Sequence, residues 1–522
     1  MAVQAPSETG MKATLGLTGI TINAMALIAP GAFLWTTYQL QAPSDSAPDM
    51  WFAVFVATAI ALLTAISYAT LAKRYPEAGA GSSYYFAEAA LLQQEEHRHF
   101  RFARISKFIV GWASHLYYWI YPGVMVAFMG LVITYIIQTF VPSFGAQWQE
   151  VLICIIFAAV VGGIAYMGVQ GATTANIIIN VIQILALVSF SILAIAYRAT
   201  HPNVHYLHPS AISVITPHSM GGLIFQSTIA ILLVVGFESA TALAAEAKNP
   251  ARDIPRGVIL SLVIQAVIFY FLEYFAANYF INTGYASGSG KTLVTGFNAA
   301  VASSAPIGDM AKILGDSLLG GNGLAYAVIL AATVVIALVG TSLSCLNTGV
   351  RVTYAMGKDT ELPAVFGFLH GRFRTPHVGV IVLTVISAIV GAYGVLDVNK
   401  LTQVTLVSNI GTFLLYGMTN IICVIAFAGV EKRGVFSTLI APILGAVLNV
   451  GLLVGVVYYA IVTGGASALN AAIAIIFSLA WLVIGFGYLY YRQITKGIRI
   501  LHPEDYKKEV ASDVSLGAGG GN

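Results

Sequence analysis

About twelve apolar segments, each near or above the ~20 residues that cross a bilayer core, follow one another along the chain with short polar connections between them. That succession leaves few folds open. Backbone groups in lipid must be satisfied internally, so only helices and closed barrels span a membrane, and runs this long and uninterrupted are helical. Charged residues make up 9% of the 522-residue sequence, against roughly 25% in soluble domains, which excludes an ordinary globular enzyme. The hydropathy pattern places spans 1 to 12 at roughly 14–40, 51–73, 106–140, 150–168, 172–197, 221–247, 256–281, 322–356, 377–395, 401–429, 436–462 and 469–491. The predicted fold class is an all-α polytopic membrane protein with 12 transmembrane helices.

Lysine and arginine set the orientation. Of the 25 in the chain, only Arg198, Lys291, Lys312 and Lys400 fall on one side, and the other 21 fall with the termini. The positive-inside bias therefore predicts that both termini are cytoplasmic, with the chain in a plasma (inner) membrane. Cys154, Cys345 and Cys423 all lie in apolar segments, an odd set that suits neither disulfides nor zinc. The first apolar run is too long for a signal-peptide core and reads as a retained span. Residues 282–321, rich in Gly, Ser and Ala, form a long external connection of the kind that often serves as a lid. The Gly-rich tail Ser512–Asn522 is predicted to be disordered.

Within span 6, Glu238 stands two residues past Gly236 in an otherwise apolar stretch. A carboxylate at membrane depth needs a partner or a wet cavity. A neighbouring glycine can release backbone groups that also need partners there. Pro30 and Gly31 sit about sixteen residues into span 1, and Gly236 about fifteen into span 6, a correspondence expected of an inverted repeat with two interrupted helices. Proline removes a donor and glycine lets the chain unwind. The half-helix N-termini would then offer N–H groups to an anionic group. The simpler reading is a proline kink in span 1 and a packing glycine in span 6.

The stretch Gly236-Phe237-Glu238-Ser239, followed by Glu246-Ala247-Lys248-Asn249-Pro250-Ala251-Arg252-Asp253-Ile254-Pro255-Arg256, resembles the sixth helix and following loop of the amino acid–polyamine–organocation (APC) superfamily. Leu346-Asn347-Thr348-Gly349-Val350-Arg351, Tyr354-Ala355-Met356-Gly357-Lys358-Asp359 and Phe373-Arg374-Thr375-Pro376-His377 add to that likeness. So do Pro76-Glu77-Ala78-Gly79 and Ser408-Asn409-Ile410-Gly411. The resemblance implies a LeuT-type 5+5 inverted repeat with broken helices 1 and 6 plus two extra C-terminal helices. Its divisions here would be a tail to residue 12, repeats over 13–198 and 199–430, two added helices over 431–492, and a second tail from 493.

The resemblance further implies a secondary transporter working by alternating access on amino acids, polyamines or related amines, by ion-coupled symport or by exchange. Substrate would lie against Ile28, Ala29, Gly31 and Ala32 of span 1, Tyr118 of span 3, and Leu232, Val235, Gly236 and Phe237 of span 6. The chain departs from the family pattern in three places. Span 1 has Ala29-Pro30-Gly31-Ala32 where relatives often carry Gly-Ser-Gly. Gln183 stands where some proton-coupled relatives have a lysine, and Leu232 where exchangers of cationic amino acids have a tryptophan.

Glu238 reads as a proton carrier or an anchor for a substrate amine, with a structural carboxylate accepting amides as the alternative. Gln183 is either a coupling residue or interhelical glue. Thr341, Ser342 and Ser344 could offer hydroxyls to a sodium ion beside span 1 carbonyls, or satisfy local carbonyls. Glu273 is expected to find a hydrogen bond or outer water, and His115 a helix–helix hydrogen bond. Arg98, Arg101, Arg104 and Lys107 suit anionic headgroups at the inner leaflet. Gly290-Lys291-Thr292 lacks P-loop spacing, because position 285 is Tyr285. Glu95-Glu96-His97-Arg98-His99 reads as a solvated loop. The expected partners are a small-molecule solute, the bilayer and a coupling proton or sodium ion. No cofactor, metal or nucleic-acid site is expected. A non-transporting amino-acid sensor on the same scaffold is the remote alternative.

Overall fold

The computed structural model describes residues 14–496 apart from 29, 44, 77, 79–81, 93–99, 169–171, 288–292, 360, 432 and 463–464. Ala29, the Glu95–His99 cluster, the Gly290-Lys291-Thr292 stretch and the C-terminal tail therefore lie outside the described residues. Eleven helices among those described are long and apolar enough to cross a membrane: Ala47–Arg74, Arg101–Phe140, Gln147–Met167, Asn176–Thr200, Met220–Ala242, Pro250–Phe280, Gly323–Lys358, His377–Gly394, Val398–Ala426, Phe436–Val462 and Ser467–Thr495. They coincide with spans 2 to 12. Span 1 is described as the helical stretches Leu17–Ile28 and Pro30–Gln41, on either side of residue 29, which lies outside the described residues.

Burial sorts the spans into a centre and a rim. Spans 3, 6 and 10 are the most enclosed. Spans 4, 5, 11 and 12 turn large apolar side chains outward, among them Ile156, Leu185, Val454 and Val483, as lipid-facing helices do. Close approach at the centre depends on small residues. A Cβ on Gly411 of span 10 would lie 2.7 Å from the Tyr117 amide nitrogen of span 3.

Two features differ from the expectations. Span 3 is not one helix but two, Phe100–Tyr118 and Tyr121–Phe140, with a turn at Trp119 and Ile120. Pro122 is the reason, since it has no N–H to give the Tyr118 carbonyl and disfavours helical backbone just before it. The 282–321 connection is folded: a short antiparallel hairpin, Ala286–Ser287 with Val294–Thr295, leads into helices Gly296–Ala302 and Pro306–Leu318. The second of these packs on span 8 and on Pro30–Gln41.

At the Lys- and Arg-rich end, the segment before span 1 is tied to the loop after span 6. The Leu15 amide donates to the Glu246 carbonyl at 2.9 Å, and Lys248 donates to the Leu15 carbonyl at 2.8 Å.

Candidate functional site

Span 6 runs as a helix from Met220 to Val234, opens over Val235–Glu238 and resumes at Ser239–Ala242. The opening depends on Gly236, whose φ of 116° is rarely available to an L side chain. A Cβ there would lie 2.7 Å from Leu27 Cδ2, so the open turn of span 6 rests on the last turn of Leu17–Ile28. The opening in span 6 therefore faces the end of Leu17–Ile28, just before Pro30.

Glu238 takes up the released backbone. Its Oε2 accepts from the Gly236 amide at 3.0 Å and from the Tyr416 hydroxyl at 2.6 Å, and its Oε1 accepts from the Tyr118 hydroxyl at 3.1 Å. The side chain is fully buried. Three donors suit an anionic carboxylate, and the two hydroxyls can rotate to accept when it carries a proton. Phe237 packs its ring against Tyr416 and Tyr68, with centroids 5.3 and 5.9 Å apart. The Gly236 and Glu238 carbonyls are held by the Ser239 and Thr241 hydroxyls, each at 2.6 Å.

On the other side, side chains reach three carbonyls near the end of Leu17–Ile28, and Pro30 has no N–H to give the carbonyl of Ala26. Gln265 Nε2 donates to the Met25 carbonyl at 2.8 Å, Thr341 Oγ1 to Ala26 at 3.0 Å, and the Tyr270 hydroxyl to Ile28 at 3.0 Å. A cluster of carbonyl oxygens thus lies beside the amide and carboxylate of span 6 in the buried centre of the bundle. That pairing can hold both ends of a zwitterion, or one amine, between fixed dipoles.

The structure brings Ile28, Tyr118, Leu232, Val235, Gly236, Phe237 and Glu238 into this enclosed region, the side chains each at most 1% exposed. Gly31 and Ala32 lie on the backbone of Pro30–Gln41. Thr341 reaches span 1 as the sodium reading requires, but its hydroxyl is bonded to Ala26 and to Ala337 of its own helix. Ser344 is half-buried nearby on span 8. Gln183 is buried on span 5, one turn beyond Asn180, which donates to the Ile22 carbonyl at 3.3 Å.

Sequence reasoning missed Tyr416, Tyr270 and Gln265. A helical reading of span 10 would have found the first, because Asn409, Tyr416 and Asn420 share one face at i, i+7 and i+11. Three expectations are corrected. His115 makes no hydrogen bond among the described residues and packs instead among Trp112, Trp119 and Trp481. Glu273 is fully buried, and neither carboxyl oxygen has a hydrogen-bond partner among the described residues. Arg104 and Lys107 do not face headgroups: Arg104 pairs with Glu361, and Lys107 lies 2.7 Å from both Glu88 and Asp359.

The centre of this helical bundle is thus a buried carboxylate set in the opening of span 6, against the end of Leu17–Ile28. The sequence profile of the amino acid permease family matches residues 21–496, and the chain belongs to that family, within the APC superfamily. It is 25% identical over 456 residues to the low-affinity putrescine importer PlaP of Escherichia coli (strain K12), covering 86% of this chain and 89% of that one. It is 23% identical over 433 residues to the branched-chain amino acid permease BcaP of Bacillus subtilis (strain 168), covering 80% and 82%. The vacuolar cationic amino acid transporter 4 of Arabidopsis thaliana is 25% identical over 429 residues, covering 80% and 62%.

Proposed function

We propose that this permease is a secondary active transporter that imports a small amino acid or related amine by alternating access, coupled to an ion. The observation that carries the reading is Glu238, a buried carboxylate held in the open turn of span 6 against the carbonyl end of Leu17–Ile28. A primary amine is the group common to putrescine and the amino acids carried by the relatives. It is also the group that a carboxylate and a ring of carbonyls recognise.

In this reading Ile28, Ala29, Gly31, Ala32, Tyr118, Leu232, Val235, Gly236 and Phe237 line the substrate position. Glu238 and Gln183 serve coupling. Spans 1–5 and 6–10 are the two inverted repeats, spans 11 and 12 are appended, and both termini are cytoplasmic in the plasma membrane. The placement of Thr341 beside the Ala26 carbonyl favours one second reading: a sodium symporter in which Thr341 and Ser344 turn their hydroxyl oxygens to the ion.

Purified protein in liposomes tests both. Wild type is expected to accumulate at least one of putrescine, leucine or lysine, and Glu238→Gln to insert normally but lose uptake. Replacing sodium by choline at fixed pH abolishes uptake only under the sodium reading. Dependence on preloaded internal substrate would identify an exchanger. Wild-type uptake by Glu238→Gln at every pH would overturn the role given to that residue, and specific binding without flux would identify a sensor.

A further inference from the structure

Glu238 and Glu273 are both fully buried carboxyls, but only one of them has donors. Glu273 lies in span 7 just past a π-helical segment, Ile264–Tyr270, where the helix is widened. The titratable side chains around it are tyrosines. Tyr270 and Tyr274 flank it on its own helix, with Tyr121 of span 3 and Tyr38 of span 1 beyond them. The nearest hydroxyl protons are committed elsewhere: Tyr270 donates to the Ile28 carbonyl, Tyr274 to Gln41 Oε1, and Tyr38 to Asn278 Oδ1.

Span 7 packs on span 5, span 2 and the short helix Ala211–Ile215. From span 5, Tyr197 meets Phe280, and Arg198 bonds the Tyr279 and Pro209 carbonyls. From the start of span 2, Asp49 is held by the amides of His218 and Ser219, and the short helix carries no titratable residue. Among the described residues no Lys, Arg or His is paired with Glu273. An ionised carboxylate in such a place would leave an uncompensated buried charge, whereas the neutral acid does not.

The surrounding bonds connect this acid to the gate. Gln265 and Tyr270 hold the end of Leu17–Ile28, and Tyr274 holds the end of Pro30–Gln41, so span 7 is fastened to both halves of span 1. The π-helical segment between Gln265 and Tyr274 is a point where the helix can change register. Resting on the ion-coupled reading given above, we propose that Glu273 is a proton-carrying site separate from Glu238. It holds its proton while the centre of the bundle is closed and releases it to water when spans 1 and 7 part. In that step the carboxyl O–H bond breaks, water accepts the proton, and the carboxylate left behind is hydrated.

Infrared difference spectra of the purified full-length protein and pH-gradient uptake in liposomes test this together. At pH 7 the carbonyl stretch of a buried carboxylic acid is expected in wild type and in Glu238→Gln. It should be lost in Glu273→Gln and present again, at a shifted frequency, in Glu273→Asp. Identical spectra for wild type and Glu273→Gln would overturn the proposal. With a transported solute in hand, Glu273→Gln should keep substrate exchange but lose all stimulation by an inward proton gradient. Retained stimulation would equally overturn the proposal. If wild type moves no solute, the import reading fails by itself, and the infrared band still decides the state of Glu273.

Discussion

At the Lys- and Arg-rich end of the bundle, closure is ionic. Lys107 sits between Glu88 and Asp359, Arg104 meets Glu361, and Arg351 reaches both the Glu246 carboxylate and the Ala242 carbonyl. At the opposite end the closing contacts are mostly neutral. Gln226 Nε2 donates to the Gln41 carbonyl at 2.6 Å and to Ser46 Oγ at 2.9 Å, Gln39 donates to the Val301 carbonyl at 3.1 Å, and Tyr274 to Gln41. Neutral hydrogen bonds contribute only about 1 kcal/mol each, net, and exchange readily with water. Removing one partner from a buried ion pair costs about 3–5 kcal/mol, because the other charge is left behind. The two ends are therefore held unequally, and separating the contacts of the neutral one costs less.

The largest effect should come from Lys107→Met. It leaves Glu88 and Asp359 facing each other without their cation, and is expected to destabilise the closed state by about 3–5 kcal/mol. The readouts are a lowered Tm and greater protease access to the Lys- and Arg-rich loops.

A smaller effect belongs to the opposite end, outside the spans. There, burial together with His218 and Arg198 lowers the His208 imidazole to about 4, its Nε2 having no partner among the described residues. The unfolded chain would titrate near 6.5, so between these values it binds more protons than the folded one. Stability contributed by neutral His208 is then complete above about pH 6.5 and declines as pH falls toward 4, by at most about 3 kcal/mol. His208→Gln should flatten that part of a Tm-against-pH curve.

The smallest change is expected from Gln226→Leu, a loss of about 1–2 kcal/mol of stability read as a small fall in Tm, with no added access at the ionic end. A Gln226→Leu loss as large as that of Lys107→Met would erase the distinction between the ends.

Much of this architecture was legible in the chain. Long apolar runs mark the spans, because lipid offers no alternative partner for the backbone. Pro30 and Gly236 mark the interruptions, because each removes or loosens a helical bond. Pro122 carries the same signal for span 3, since it too removes a helical donor. The partners of Glu238 were harder to see. Tyr118 and Tyr416 lie 120 and 178 residues away in sequence and meet it only through the packing of three helices. The pairing of Lys107 with Asp359 joins parts of the chain 252 residues apart, so a basic loop looked like a headgroup contact. The helices Gly296–Ala302 and Pro306–Leu318 within the long external connection were hidden by its composition, since Gly, Ala and Ser suit a compact helix pair as well as an irregular loop.

Gly308 of this helix pair lies so near Trp35 that a Cβ would stand 2.6 Å from the indole. Gln39, further along the same half-helix, bonds the backbone of the pair at Val301. The short helix pair is thus fastened to the second part of span 1 as well as to span 8. On the alternating-access reading proposed above, a binder clamped across residues 296–318 is expected to restrain Pro30–Gln41 without ever touching the solute.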